Sequence, residues 1–246
     1  MVTKNDFVVI DRDIVVRDFR SLVRTDESML EVVILIDASQ SVAKYFSAEI
    51  DDARKLISRP EIASDNLSVV AFSGLQPAVI CSGDCRTPAA SERILSLKPA
   101  GETPLFDALR YTANLVSRRN LPGARPVFIL FSDGDDSISI ASWEEAVRSV
   151  IASGALIYGV DVSSGDSPWG IAVLRRMAEA TGGGTFSLGE AAGVLQGALA
   201  DLRNSYVVTY QLPESITGFH SLRILPKHDS ALRFHCRSGY YYGESQ

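Results

Sequence analysis

In the run VVILIDASQSV, residues 32–42, an apolar stretch gives out onto Asp37, Ser39 and Ser41. Residues two apart can face one side of a loop, so both hydroxyls can point at one spot while Asp37 anchors it from the strand end. Two other places offer the same donor type. Thr103 in GETP precedes Pro104, expected at the first position of a helix, and Asp133 in SDGDDS follows the apolar run PVFILF. The set is two carboxylates and three hydroxyls, with no sulfur or imidazole. Mg²⁺ takes about six oxygens at about 2.1 Å and keeps several waters, so this mixture suits it better than it suits a softer ion. Two carboxylates balance the ion's charge and hydroxyls add none. An ion held this way stays electrophilic, and a position filled by water favours an acidic group from outside. Singly, these residues have plainer roles: Ser41 and Thr103 as helix caps, Asp133 as a turn residue. Convergence from three loops is what points to a cation. Asp135 and Asp136 read as solvated loop residues that tune affinity without binding the ion.

Such convergence needs a scaffold. From residue 31 to 204, short β-branched runs alternate with stretches of helical period, the pattern of an α/β fold with a doubly wound, mostly parallel sheet flanked by helices. Strands are expected at 31–36, 67–72, 77–80, 126–131, 156–162 and 184–188. Several are continuously apolar, as strands covered on both faces are. Val42, Phe46, Ile50, Ala53 and Ile57 mark one helix face, and Leu105, Leu109, Ala113 and Val116 a second. A third helix carries Trp143, Val147 and Val150; a fourth follows Trp169 and stops at TGGG; the last carries Ala191, Leu195, Leu199 and Leu202. In such sheets ligands collect beyond the carboxyl ends of the strands, where the five candidates fall.

The flanks differ. Residues 1–30 read as a β-hairpin segment, FVVI and IVVRDF about the turn DRD, and residues 205–246 as strands at 205–212, 220–226 and 231–236 separated by PESITG and PKHDS. With no helix between them these strands are expected to be antiparallel, and to pair with the N-terminal hairpin into a small β-subdomain beside the 31–204 domain.

A net charge of −6 over 246 residues argues against a nucleic-acid grip, which needs a basic stripe. No apolar run reaches the roughly 18 residues of a membrane helix, and the acidic opening is unlike a signal peptide. The expected compartment is extracytoplasmic if a leader has been removed and cytoplasmic otherwise. Cys81 and Cys85 in CSGDC either close a small loop in an oxidising compartment or stay as two thiols, and Cys236 is left over. His220, His228 and His235 have no zinc-type spacing. A phosphohydrolase would want an acid where Ser39 stands, a serine hydrolase a glycine-flanked elbow, and the phosphate-loop glycine patterns are absent, so the expectation is a non-enzymatic protein.

Asp37-Ala38-Ser39-Gln40-Ser41, then Thr103, then Asp133, resembles the D-x-S-x-S, threonine and aspartate pattern of von Willebrand factor type A domains with a metal-ion-dependent adhesion site. The resemblance covers roughly residues 31–204. The flanks TKNDFVVIDRD and CRSGYYYG look like a bacterial, acidobacterial-type branch of the family. The resemblance implies Mg²⁺, with Mn²⁺ or Ca²⁺ as substitutes, held by the hydroxyls of Ser39, Ser41 and, in some states only, Thr103, and by Asp37 and Asp133 directly or through water. It also implies a protein partner whose Glu or Asp takes the sixth position, and a last helix, residues 190–204, that can shift on binding. The same fold and metal site would serve an assembly module of an intracellular ATPase-linked machine, and a third possibility is a metal that only rigidifies the loops.

Overall fold

A computed structural model describes residues 2–25, 29–59, 66–228 and 231–243. The N-terminal strands β1 (Phe7–Asp11), β2 (Ile14–Val15) and β3 (Phe19–Arg24) lead into β4 (Leu30–Asp37). There follow α1 (Phe46–Ile57), β5 (Asn66–Phe72), β6 (Ala78–Ser82), α2 (Pro88–Leu95), α3 (Leu105–Arg119) and β7 (Arg125–Ser132). Next come α4 (Trp143–Ala152), β8 (Leu156–Asp161), α5 (Pro168–Thr181), β9 (Gly184–Ser187) and α6 (Ala191–Arg203). The chain ends in β10 (Tyr206–Tyr210), β11 (Gly218–Pro226) and β12 (Gly239–Tyr242).

Six strands make the central sheet in the order β6-β5-β4-β7-β8-β9. All eight residues of β4 are buried, which explains its unbroken apolar run: Val32, Ile34 and Ile36 pack with α1 and α6 residues, Val33 and Leu35 with those of α3, α4 and α5. Each such side chain removed from water contributes about 1.5–3 kcal/mol. The strands from β5 to β9 are parallel, but β6 runs antiparallel to β5. The segment between them, 73–77, is too short for the crossover that a parallel neighbour requires. The short helix α2 was absent from the expected elements, although TPAAS carries its start signal. Thr87 Oγ1 accepts from Ala90 N at 3.2 Å, with Pro88 at the first helical position.

The terminal segments pair with each other. β11 lies antiparallel between β12 and β1, β1 also pairs with β2, and β3 pairs with β10 in a separate two-stranded ribbon. The two residues between β1 and β2, Arg12 and Asp13, both have positive φ, which matches the right-handed twist of a two-residue hairpin. The third C-terminal strand is not where the sequence puts it. Residues 232–238 carry no strand, and β12 pairs instead, because Gly239 lets the two backbones approach where any Cβ would strike the His220 carbonyl at 2.3 Å. Phe234 packs on the Phe7 ring, 5.7 Å between centroids. Asp229 and Ser230 of the PKHDS turn lie outside the described residues.

One buried cluster ties this annex together. The Asp11 carboxylate accepts from Tyr210 Oη at 2.8 Å and Tyr240 Oη at 2.6 Å and meets His220 Nδ1 at 2.7 Å. The other ring nitrogen of His220 faces the Ile216 carbonyl at 2.7 Å. Asp11 and the Ile216 carbonyl thus bracket the imidazole at its two nitrogens. Burial alone would raise the Asp11 pKa, but the bonds from Tyr240, His220 and Tyr210 outweigh it and hold the carboxyl below its usual range.

Candidate cation site at the strand ends

The loop after β4 is fastened before any side chain is considered. Ala38 N donates to the Phe72 carbonyl, Ala100 N to the Ala38 carbonyl and Gln40 N to the Gly101 carbonyl, each at 2.9 Å. These bonds hold residues 38–40 against the 100–103 loop that carries Thr103. Thr103 is in turn fastened to the loop after β7. Its N–H donates to Ser137 Oγ at 2.9 Å and its carbonyl accepts from Ser137 N at 2.9 Å. The third link is Ser132 Oγ, at the end of β7, which donates to Asp37 Oδ2 at 2.8 Å. The three loops that carry the candidates are therefore bonded to one another, and Asp133 is the next residue after Ser132.

The hydroxyls are not used as caps. Ser39 precedes a single 3-10 turn, Gln40–Val42, without a side-chain capping bond, and α1 begins after Tyr45. Pro104, expected at the first helical position, is the N-cap of α3, which leaves Thr103 one residue outside the helix. Ser39 Oγ and Ser41 Oγ instead lie 3.0 Å apart. Asp37, Ser39, Thr103 and Asp133 are buried and Ser41 is exposed, so the group opens to solvent on one side.

Electrostatics at this edge favour positive charge. Burial raises the Asp37 pKa to about 7 against the opposing bonds from Ser39 and Ser132, and nearby Asp133 pushes it the same way as burial. Asp133 Oδ1 accepts from Asp135 N at 3.1 Å. The Asp135 carboxyl is raised by partial burial and by Asp133. Glu49, one turn into α1, is fully buried with neither carboxylate oxygen hydrogen-bonded. Burial and then Asp37 push its pKa well above normal, although the Asp37 backbone opposes this. Sequence reasoning missed it. The available signal was an acid three residues after Phe46 and next to Ile50, on the apolar stripe of a helix.

Two neighbouring groups have other roles. Asp136, expected to be a solvated loop residue, accepts from Phe106 N at 3.2 Å and Ser139 Oγ at 2.5 Å, so it caps α3 from another loop. Asp161-Val162-Ser163 repeats the D-x-S spacing at the end of β8, but its donors are its own: Asp161 Oδ1 takes Ser163 N at 2.9 Å and Ser163 Oγ at 2.6 Å, and Oδ2 takes Gly165 N at 3.2 Å. Among the described residues, no three His, Cys, Asp or Glu side chains draw close enough to hold a metal by themselves. Any ion here must therefore depend on the hydroxyls.

Two glycines place Asp133. A Cβ on Gly170, at the start of α5, would meet the Asp133 carbonyl at 1.9 Å, and one on Gly134, whose φ is +81°, would meet the Gly170 carbonyl at 2.1 Å. Elsewhere, Cys81 and Cys85 form a disulfide with Cα atoms 5.2 Å apart, and Cys236 is free. No helix among the described residues is long and apolar enough to cross a membrane.

The family model of the von Willebrand factor type A domain matches residues 32–135. Comparison with curated protein sequences finds no match. Among solved structures, a von Willebrand factor type A protein from Catenulispora acidiphila is 19% identical with a TM-score of 0.53, covering 81% of this chain and 51% of its own. Manganese-loaded TRAP protein from Plasmodium vivax is 16% identical with a TM-score of 0.54, covering 91% of this chain and 99% of its own. Proximal thread matrix protein 1 from the mussel byssus is 16% identical with a TM-score of 0.53, covering 73% and 49%. This chain spans about half the length of the mussel and Catenulispora proteins. At these identities the likeness shows the fold, a central mostly parallel sheet flanked by helices with a small antiparallel sheet beside it.

Proposed function

We propose that this chain, which carries a von Willebrand factor type A fold, is a non-enzymatic interaction module that holds a divalent cation at the end of its central sheet and captures a protein partner through that cation. Asp37, Ser39, Ser41, Thr103 and Asp133 would hold it, and a Glu or Asp carboxylate of the partner would complete its shell. The observation that carries this reading is the Ser39–Ser41 hydroxyl pair. Neighbouring corners of an octahedron with 2.1 Å arms lie about 3.0 Å apart, and the two oxygens already stand at 3.0 Å, free of any capping duty. The donor set is hard oxygen throughout, which suits Mg²⁺ first and Mn²⁺ or Ca²⁺ as substitutes. That a TRAP protein of similar fold is manganese-loaded supports a divalent ion.

The disulfide favours an oxidising compartment, and with it an extracytoplasmic binder over a module of an intracellular machine. The test is a titration of Mn²⁺ into the chelator-stripped protein by calorimetry, repeated with Asp133→Ala, followed by partner capture from native extract in Mg²⁺ and in chelator. Uptake of one ion by the wild type, its loss in the variant, and retention of a partner only with wild type in Mg²⁺ are expected. Partner retention indifferent to both metal and Asp133 would leave the ion a structural role.

A further inference from the structure

Glu49 stands apart from the five residues assigned to the ion. We propose that it is a third carboxylate of the same site, acting on the cation through a bridging water; the inference rests on the cation reading above. Buried carboxylates normally collect several hydrogen bonds, yet no side chain donates to either Glu49 oxygen, and the one nearby group that favours its charged form is the Asp37 backbone. The helix face that carries Glu49 also carries Phe46, Ile50, Ala53 and Leu56, all buried against the sheet, where an apolar residue would pack without cost. The charges that act on it are Asp37 and Asp133, both of its own sign, with no Lys or Arg among them. Three carboxylates whose charges act on one another, with no basic partner among those charges, mark a place that a cation would neutralise.

Direct ligation by all three together is excluded. The three carboxylates do not come close enough to hold an ion among themselves. A water between Glu49 and the ion bridges the gap and satisfies the orphaned oxygens, as outer-shell carboxylates do in metal sites generally. Glu49 is thus a positioning residue: it adds charge and orients a water without touching the partner.

The experiment is Mn²⁺ titration by calorimetry on the full chain as wild type, Glu49→Gln, Glu49→Asp and Asp133→Ala, with melting of each in chelator. The Gln variant is expected to bind Mn²⁺ about 10–100-fold more weakly. Its metal-free Tm should be equal to or above that of the wild type, because an isosteric neutral group replaces a buried unpaired acid. Glu49→Asp, which keeps the charge and leaves room for water, should recover most of the affinity. That split, weaker binding with undiminished metal-free stability, is one a structural role does not produce. Wild-type affinity in the Gln variant would overturn the inference while leaving the cation reading intact. So would a Gln variant that melts lower or fails to fold in chelator, since Glu49 would then serve the fold. No Mn²⁺ uptake by the wild type would overturn both.

Discussion

Two aspartates, each at the end of a strand and each buried, have opposite surroundings. Asp11 is met by two tyrosine hydroxyls and an imidazole, from strands far along the chain, and its carboxyl is held below its usual range. Asp37 accepts from one amide and one hydroxyl, feels the charges of Asp133 and Glu49, and is pushed up to about 7. The protein satisfies Asp11 from three side chains, whereas at Asp37 the bonds present do not offset burial and the neighbouring acids. Satisfied buried polarity holds segments together; unsatisfied buried polarity is a place where something else is meant to bind.

Breaking the satisfied cluster should have the largest effect. Asp11→Ala leaves His220 and two tyrosines without their acceptor and is expected to cost about 3–5 kcal/mol in denaturant melts, with Mn²⁺ affinity unchanged. Equal loss of Mn²⁺ binding would show that the two regions are not independent. The complementary test fills the unsatisfied site. Mn²⁺ at about 100 times its Kd should stabilise the wild type by about 2.7 kcal/mol and leave Asp133→Ala unmoved, read as the shift in melting against metal concentration. Ser132→Ala removes the hydroxyl that Asp37 accepts and should cost about 1.5–3 kcal/mol in chelator, less once Mn²⁺ is present. Loss undiminished by metal would place Ser132 wholly in the fold. Smallest is the acid side. Because the Asp11 carboxyl titrates below its unfolded value, the unfolded chain takes up that proton first. Its contribution is complete above the usual carboxylate range and is lost as pH falls through the folded pKa. Melts between pH 5 and pH 2 should fall less steeply for Asp11→Asn than for the wild type.

Much of the Asp37 side of this comparison is legible in the sequence and little of the Asp11 side. Asp37, Ser39 and Ser41 follow an unbroken apolar run, and the strand ends of such a sheet are where ligands gather, so local pattern and topology point to one place. Thr103 and Asp133 sit at similar junctions, and the backbone bonds that join their loops were implied by the fold though not readable singly. Asp11 and His220 are separated by 209 residues, and no local pattern states that they touch. Asp136 looks like a solvated loop acid until α3, 30 residues earlier, supplies the amide it caps. β12 was displaced from 231–236 to Gly239–Tyr242 because a missing Cβ decided the pairing, and strand propensity carries no information about that.

Helix α5 touches both regions. Its first turn presses Gly170 against the Asp133 carbonyl, and near its last turn the Ala180 carbonyl accepts from Ser238 N at 3.1 Å and Ser238 Oγ at 3.0 Å, just before β12. Its 14 residues make a rod of about 21 Å. With no side chain at Gly170, backbone meets backbone at the forward end, so one rigid helix fixes the spacing between the annex and the Asp133 carbonyl.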